Sequence, residues 1–579
     1  MDIRRTVLWM IFSFSLLLLW NNWQVYNGKP SLFTGATSTQ TADHAKAGPA
    51  AGGDVPATGV PAAGAPAAGI PNAPAPAADV PAGQARADAP APGPRQAAAP
   101  ASEKVSVKTD VYDLTFDTQG AQLVGAELLK FAGLTDTTRP MMLLDDSPGS
   151  IYMAQTGLVG APQGQSYPTH LTPFRLVSSE RTLTGDKLDV VFEAQSGGVR
   201  VVKTYTLHKG RYDIDVKHEV YNLGDAPISP SVYLQLTRDG NDPPNTSHFY
   251  STFTGPAVYS SAEKYQKIKF PEIDKGKASY VKQADDGWIG MVQHYFASAW
   301  VPQQNRPRHN EVLRVSDNLY AIRSIQPLGT IQPGQNLAST ARLWVGPQDQ
   351  QAMQHVAPGL DVVVDYGFLT IIAKPLFKLM TWLHSFLGNW GWTIVALTLL
   401  IKLVFYPLSA ASYRSMAKMK QVAPRLQALR EKFGDDKAKL NAAMMEMYRT
   451  EKINPLGGCL PMIVQVPVFI SLYWVLLGSV EMRGAPWILW IHDLAATDPW
   501  YILPAIMMGT MFLQIKLNPA PPDPMQARIM MIMPLVFGGM MFFFPAGLVL
   551  YWCVNNTVSI AQQRYIMHKL DKEAAAAKR

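Results

Sequence analysis

The sequence predicts a polytopic α-helical membrane protein of six spans, five of them forming one core, with a large antiparallel β-sandwich on the exported side. Three observations predict it: a short basic start followed by an apolar run, period-two alternation through the middle, and five long apolar runs in the last third. Composition agrees, because 47% of the 579 residues are apolar, only 16% are charged and the mean hydropathy is zero, an average over unlike parts. Two cysteines, Cys459 and Cys553, exclude a disulfide-stapled scaffold and any C-x-x-C redox or zinc site.

Residues 1–26 read as an uncleaved transmembrane anchor. Arg4 and Arg5 precede the apolar run Val7 to Trp20, no small-x-small cleavage site follows closely, and Trp23 and Tyr26 suit an interfacial belt. The two arginines place the amino terminus in the cytoplasm. Residues 27–101 read as a disordered linker: positions 51–100 hold 19 Ala, 11 Pro and 7 Gly and no aromatic, too little to bury.

Residues 102–350 alternate apolar and polar positions in short runs, as in Tyr112-Asp-Leu-Thr-Phe116, Tyr212-Asp-Ile-Asp-Val216 and Val232-Tyr-Leu-Gln-Leu236. This is the pattern of an antiparallel sandwich. Its histidines and acids, such as His208, His218 and Glu219, fall within strand patterns and read as sheet-face residues.

Between 361 and 389 the period becomes helical. Phe368, Ile371, Ile372, Leu376, Leu379, Leu383 and Phe386 fall on one face and Thr370, Lys374, Lys378, Thr381 and Ser385 on the other, as in an amphipathic helix lying at the membrane interface. The core at 390–565 then contributes spans near Trp392–Leu408, Cys459–Val480, Trp500–Leu517, Ile529–Phe544 and Leu548–Tyr565, and 566–579 forms a cytoplasmic tail.

Charge tests this parity. The loop at 409–458 carries ten Lys or Arg against five Asp or Glu, whereas 481–500 carries only Arg483 against Glu481, Asp493 and Asp498. The positive-inside rule puts the first loop in the cytoplasm and the second outside, so both termini are cytoplasmic and the sandwich is periplasmic. Most of the +7 net charge is that one loop, so nucleic acid is not needed as its primary ligand. Its apolar stripe, from Met416 through Phe433 and, after the Gly434-Asp435-Asp436 turn, from Leu440 to Met447, reads as an antiparallel helical hairpin.

G-x-S-x-G, H-E-x-x-H, G-x-x-x-x-G-K and G-x-G-x-x-G are all absent. Neither a catalytic residue, a metal nor a cofactor is expected. What stands out is polarity inside apolar segments, which is costly there and marks function. Lys402 lies 12 residues before Arg414, about 18 Å along a continuous helix, too far for full snorkelling. Gln465, Thr510, Gln514, Asn555, Ser559, Gln562 and Gln563 share the cytoplasmic half of their spans, so the expected cavity opens to the cytoplasm and stops partway. Met530, Met531, Met533, Met540 and Met541 offer an adaptable apolar surface. The one-sided depth argues against a solute or ion transporter with Lys402 as its ligand. A membrane-anchored periplasmic carbohydrate-active protein is the other alternative.

Gly388-Asn-Trp-Gly391, Tyr406-Pro-Leu408, Asn454-Pro-Leu-Gly-Gly-Cys459, Gly478-Ser-Val-Glu481, Trp490-Ile-His-Asp493, Asp523-Pro-Met-Gln526 and Phe544-Pro-Ala-Gly-Leu-Val-Leu-Tyr551 resemble the YidC/Oxa/Alb family of membrane protein insertases, in its Gram-negative form. The resemblance covers about 361–565. It implies an inner-membrane insertase and chaperone that takes nascent membrane proteins through a hydrophilic groove and releases them into the lipid bilayer along the third and fifth spans. It also implies work alone or with the Sec translocon (SecYEG and SecDF), and contact of the hairpin and tail with a ribosome or targeting receptor. By the same resemblance the substrate-binding residues are Lys402, Thr398, Gln465, Tyr551 and Trp552, to which the polar face of the last span adds Asn555. Lys402 stands where the family usually has arginine, which keeps the charge and loses the planar fork. Trp552 stands where many members have a second tyrosine.

Overall fold

The computed structural model describes residues 102–244, 252–433, 436–451, 460–518 and 524–577. The expected anchor at 1–26, the linker at 27–101, Gly434, Asp435 and Cys459 lie outside the described residues.

Alternation of inward and outward side chains builds two nine-stranded antiparallel sheets. The first runs from edge to edge as β1 (Lys104–Lys108), β2 (Tyr112–Asp117), β3 (Gln122–Ala132), β4 (Pro140–Ser147), β5 (Ser150–Val159), β10 (Ser231–Asp239), β17 (Leu319–Pro327), β16 (Arg308–Ser316) and β13 (Gln283–Ala284). The second runs β12 (Lys264–Lys267), β11 (Gly255–Ser260), β14 (Trp288–Gln293), β15 (Phe296–Val301), β18 (Asn336–Pro347), β9 (Asp213–Asn222), β8 (Val199–His208), β7 (Lys187–Ser196) and β6 (Arg175–Leu176). In β8 every second residue is buried, as period two requires of a sheet with one wet face. Trp300, Tyr205, Phe116, Phe192 and Phe296 fill the space between the sheets, each contributing on the order of 2–3 kcal/mol by burial. Trp300 Nε1 also donates to the Gln235 carbonyl of the opposite sheet at 3.0 Å.

A polar seam crosses this core. Lys203 and His218 are cross-strand partners on β8 and β9, and both point inward. Lys203 Nζ donates to the carbonyls of Gly120 and Thr156 at 2.7 and 2.8 Å and sits 4.5 Å from the Phe174 ring centre. His218 Nε2 is 2.8 Å from Thr156 Oγ1, and His170 Nδ1 is 2.5 Å from the Tyr233 hydroxyl. His208, by contrast, is partly exposed and pairs with Asp215 at 2.9 Å. Gly120 closes the β2–β3 turn at φ +76°, where an added Cβ would lie 2.2 Å from the His170 carbonyl oxygen. Gly120→Ala is therefore expected to destabilise the sandwich by about 2–4 kcal/mol, read as a shift in the urea midpoint of tryptophan fluorescence.

Short helix α1 (Phe270–Asp274) lies within the sandwich, and α2 (Gln350–Val356) follows it, capped by the Asp349 carboxylate, which accepts from the Gln351 and Ala352 amides. Next come α3 (Thr370–Leu387), α4 (Trp390–Val404), α5 (Tyr406–Phe433), α6 (Lys437–Thr450), α7 (Leu460–Gly478), α8 (Ile502–Leu517), α9 (Pro524–Met540) and α10 (Ala546–Ala577). The apolar face expected for α3 is divided in the structure. Ala373, Phe377 and Met380 face α4 and α7, while Ile371 and Phe386 are 87% and 72% exposed. Leu376, Leu379 and Leu383 of the expected face pack partly against the same core, and its Ile371 and Phe386 point outward. Met541, expected on the adaptable surface, is buried in the core instead.

The span expected as one helix over Trp392–Leu408 breaks at Phe405. Pro407 has no N–H to give the Leu403 carbonyl, and α4 meets Tyr406–Met419 at 63°. This bent pair passes a length and apolarity test for crossing a membrane, and no single described helix does; Val464–Gly478, Ile502–Leu517 and Arg528–Phe543 are shorter apolar helices. In the hairpin, α5 packs against α6, and Arg425 pairs with Glu451 at 2.6 Å.

Sandwich and helices share a packed junction. Val480 enters the sandwich core, the Arg483 guanidinium donates to the Ala132 carbonyl at 2.5 Å and lies 5.3 Å from the Phe296 ring centre, and His294 Nε2 is 3.1 Å from the Leu477 carbonyl.

Candidate functional site

Lys402 occupies the last turn of α4, directly before the bend. Two local effects favour a cation there: the negative end of the helix dipole and carbonyls left without amide donors at the break. The side chain is 6% exposed. Its ammonium donates to Ser559 Oγ on α10 at 2.8 Å and to Gln465 Oε1 on α7 at 3.4 Å, both neutral oxygens.

The network continues from there. Gln465 Nε2 donates to Asn555 Oδ1 at 2.6 Å, Asn555 Nδ2 to Asn556 Oδ1 at 3.4 Å, and Asn556 Nδ2 to Thr510 Oγ1 on α8 at 3.3 Å. The Ser559 hydroxyl donates its proton to the Asn555 carbonyl at 2.7 Å, so only lone pairs face the ammonium. Gln562 Nε2 donates to the Lys402 carbonyl at 3.4 Å, and the Tyr413 hydroxyl, beyond the bend, to the Ser559 carbonyl at 3.3 Å. α10 thus grips α4 by both the side chain and the main chain of Lys402.

Of the sequence-predicted residues, Lys402, Gln465 and Asn555 are joined directly, and Tyr551 is buried with its ring centre 6.0 Å from that of Phe469. Thr398 is buried on the same helix but bonds its own chain, donating to the Ile394 carbonyl at 2.7 Å. Trp552 turns to an aromatic cluster with Phe469 and Phe537, at ring-centre distances of 4.7 and 5.2 Å, and stands outside the network. The i, i+4 stripe on the last helix divides: Gln562 reaches α4, and Gln563 reaches the Leu517 carbonyl and Asn518 at the end of α8. Ser559 was legible only as one residue of that stripe. Asn556 and Tyr413 had no signal, since one lies off the stripe and the other is brought back by the bend.

The outer surface is apolar. α9 packs on α8 rather than α7, and Met531, Ile532, Leu535 and Val536 on α9 are all more than half exposed, as an apolar environment or client requires.

Comparison with known proteins shows the family. The YidC periplasmic domain family matches residues 104–379, and the 60Kd inner membrane protein family matches 382–573. The membrane protein insertase YidC of Bordetella parapertussis is 67% identical over 577 residues, covering 100% of both chains, and that of Cupriavidus necator is 52% identical over 578 residues, covering 100% of this chain and 99% of the relative. Among solved structures, an active YidC insertase with its first transmembrane domain resolved is 19% identical, covering 80% of this chain and 92% of that one at a TM-score of 0.37. A galactose mutarotase-like protein from Lactobacillus casei is 9% identical, covering 42% of this chain and 100% of that one at a TM-score of 0.27. With two-thirds of its residues identical to a relative along its whole length, the chain belongs to the YidC family of membrane protein insertases.

Proposed function

We propose that this chain inserts and folds nascent inner-membrane proteins through a polar groove open to the cytoplasm. The observation that carries the reading is Lys402, a buried ammonium held by neutral oxygens at a helix break. Such a cation is incompletely compensated in its own chain and attracts an acidic segment of a client. Gln465, Asn555 and Tyr551 supply hydrogen bonds to a polar tail. Thr398 and Trp552 line the apolar side of the path, where the client leaves along α7 and α9.

In this reading the chain crosses the membrane six times, by its amino-terminal anchor, by the bent α4–α5 unit, and by α7, α8, α9 and α10. Both termini and the hairpin are cytoplasmic and the sandwich is periplasmic. The basic loop at 409–458 supports that orientation. α8, at 16 residues, is about 24 Å long against a hydrocarbon core of ~30 Å, so the bilayer thins around it and shortens the client's polar crossing. The work is binding and partitioning, with no covalent step. The Sec translocon, and a ribosome or targeting receptor at the hairpin, are the partners the family resemblance suggests. The relatives support neither the transporter nor the carbohydrate-active alternative.

Photocrosslinkers placed at 398, 402, 465 and 551 are expected to capture a ribosome-stalled membrane-protein chain, while one at exposed Ile371 is not. Equal capture at all five positions sinks the groove.

A further inference from the structure

A second site lies in the sandwich, where the ends of the two sheets face each other. Arg308, at the start of β16, is 5% exposed, and its Nε, Nη1 and Nη2 are all buried without a hydrogen-bond partner among the described residues. Two more buried, unpartnered polar atoms belong to residues lining the same slit: Ser324 Oγ and Asn310 Oδ1. Pro302, Ile289 and Asp286 complete a lining around about 130 Å³ of empty space.

An unpaired guanidinium is among the most unfavourable groups to bury. The nearby acids do not relieve it. Asp286 accepts the Ser261 amide at 3.1 and 3.2 Å, and burial still lowers Arg308 to about 10 although Asp286 and Asp285 oppose the shift. Asn310 is oriented by its own bonds: its Nδ2 donates to the Val281 carbonyl at 3.3 Å, which leaves Oδ1 as an acceptor toward the slit.

The inventory selects a ligand. The guanidinium fork and a serine hydroxyl are donors suited to an oxyanion. Asn310 Oδ1 and the Asp286 carboxylate are acceptors, so the anion must itself carry a proton. Phosphate does at neutral pH, and sulfate does not. We propose that this slit binds inorganic phosphate, with Arg308 and Ser324 donating to its unprotonated oxygens and Asn310 accepting its P–OH proton. As it stands the slit is too narrow for a water-sized sphere. Entry moves the Pro302–Gln304 loop, which is latched by Gln304 Oε1 accepting from the Gly287 amide at 2.7 Å and by the Gln303 carbonyl accepting from Gln326 Nε2 at 3.0 Å.

The test is equilibrium dialysis of radiolabelled inorganic phosphate against the purified full chain in detergent, with sulfate and glycerol 3-phosphate as competitors. One saturable site per chain is expected, with sulfate at least tenfold weaker. Glycerol 3-phosphate, a monoester that has mostly lost its P–OH proton at neutral pH, is expected to compete poorly, and competition by it equal to that of phosphate would overturn the proton requirement. Arg308→Met is expected to weaken binding roughly a hundredfold and Ser324→Ala about tenfold. The serine variant keeps the packing, so the loss is readable even if the arginine variant misfolds. Absence of saturable phosphate binding by the wild type, unchanged binding in both variants, or equal competition by sulfate would each overturn the proposal.

Discussion

Lys402→Ala is expected to cut insertion of clients with acidic exported tails by about ten- to a hundredfold, the worth of a hydrogen bond to a charged group. Clients with neutral tails should lose far less, because the remaining contacts, polar and apolar, are uncharged. The geometry makes the effect specific to charge. Ser559 and Gln465 would keep their bonds to Asn555 after the truncation, so the polar walls stay while the cation goes. Lys402→Arg is expected to be tolerated: arginine keeps the charge at the helix end, and the neutral oxygens of Ser559 and Gln465 accept from a guanidinium as from an ammonium. The measurement is protease protection of translocated tails in proteoliposomes, with acidic and neutral tails run in parallel. Full insertion of acidic tails by Lys402→Ala protein would remove the electrostatic mechanism.

The second large effect is acid lability of the sandwich and its junction. Burial, reinforced by the Lys203 charge, holds His218 at about 3 and His170 at about 4; burial together with the Arg483 charge holds His294 at about 4, against the opposing Leu477 carbonyl. In an unfolded chain each binds a proton near pH 6.5. Below that pH the unfolded state takes up protons that the folded state refuses. The stability held above pH 6.5 is therefore lost progressively as pH falls toward 3–4. At pH 5 each histidine accounts for on the order of 2 kcal/mol, and sharing Lys203 makes two of the three less than additive. Lys203, lowered by burial to about 7, has the same sign in a higher window: stability rises from pH 7 toward its unfolded value of about 10.5. Urea midpoints by tryptophan fluorescence at pH 7.5 and pH 5 are expected to differ clearly. His218→Gln, which keeps a bond to Thr156, should flatten the difference. A profile flat across that interval would mean that these histidines reach water in the folded protein.

Much of the architecture was legible because periodicity is local. Alternation at Tyr112–Phe116 marks β2, and the apolar run after Trp500 marks α8, since strand and helix geometry repeat within a few residues of chain. The candidate site was legible as residue types at a common depth. Lys402, Gln465 and Asn555 were recognisable because polar groups are expensive in apolar segments. Trp552 is expected in the groove from the family resemblance alone; one helical step from Tyr551 is about 100°, and the indole turns to Phe469 and Phe537.

By itself the sequence determined the division into an alternating β region and an apolar helical region, the orientation expected from the basic loop, and a lone lysine where charge is costly. Tertiary structure alone decided what that lysine touches. Ser559 lies 157 residues away, and Tyr413 returns to the site only because the chain bends at Phe405. It also decided which apolar residues of α3 pack inward and which donors around Arg308 remain unpaired. The physical reason is common to all four: periodicity reports how one segment divides its faces, whereas a partner across the fold depends on distances that no single segment encodes.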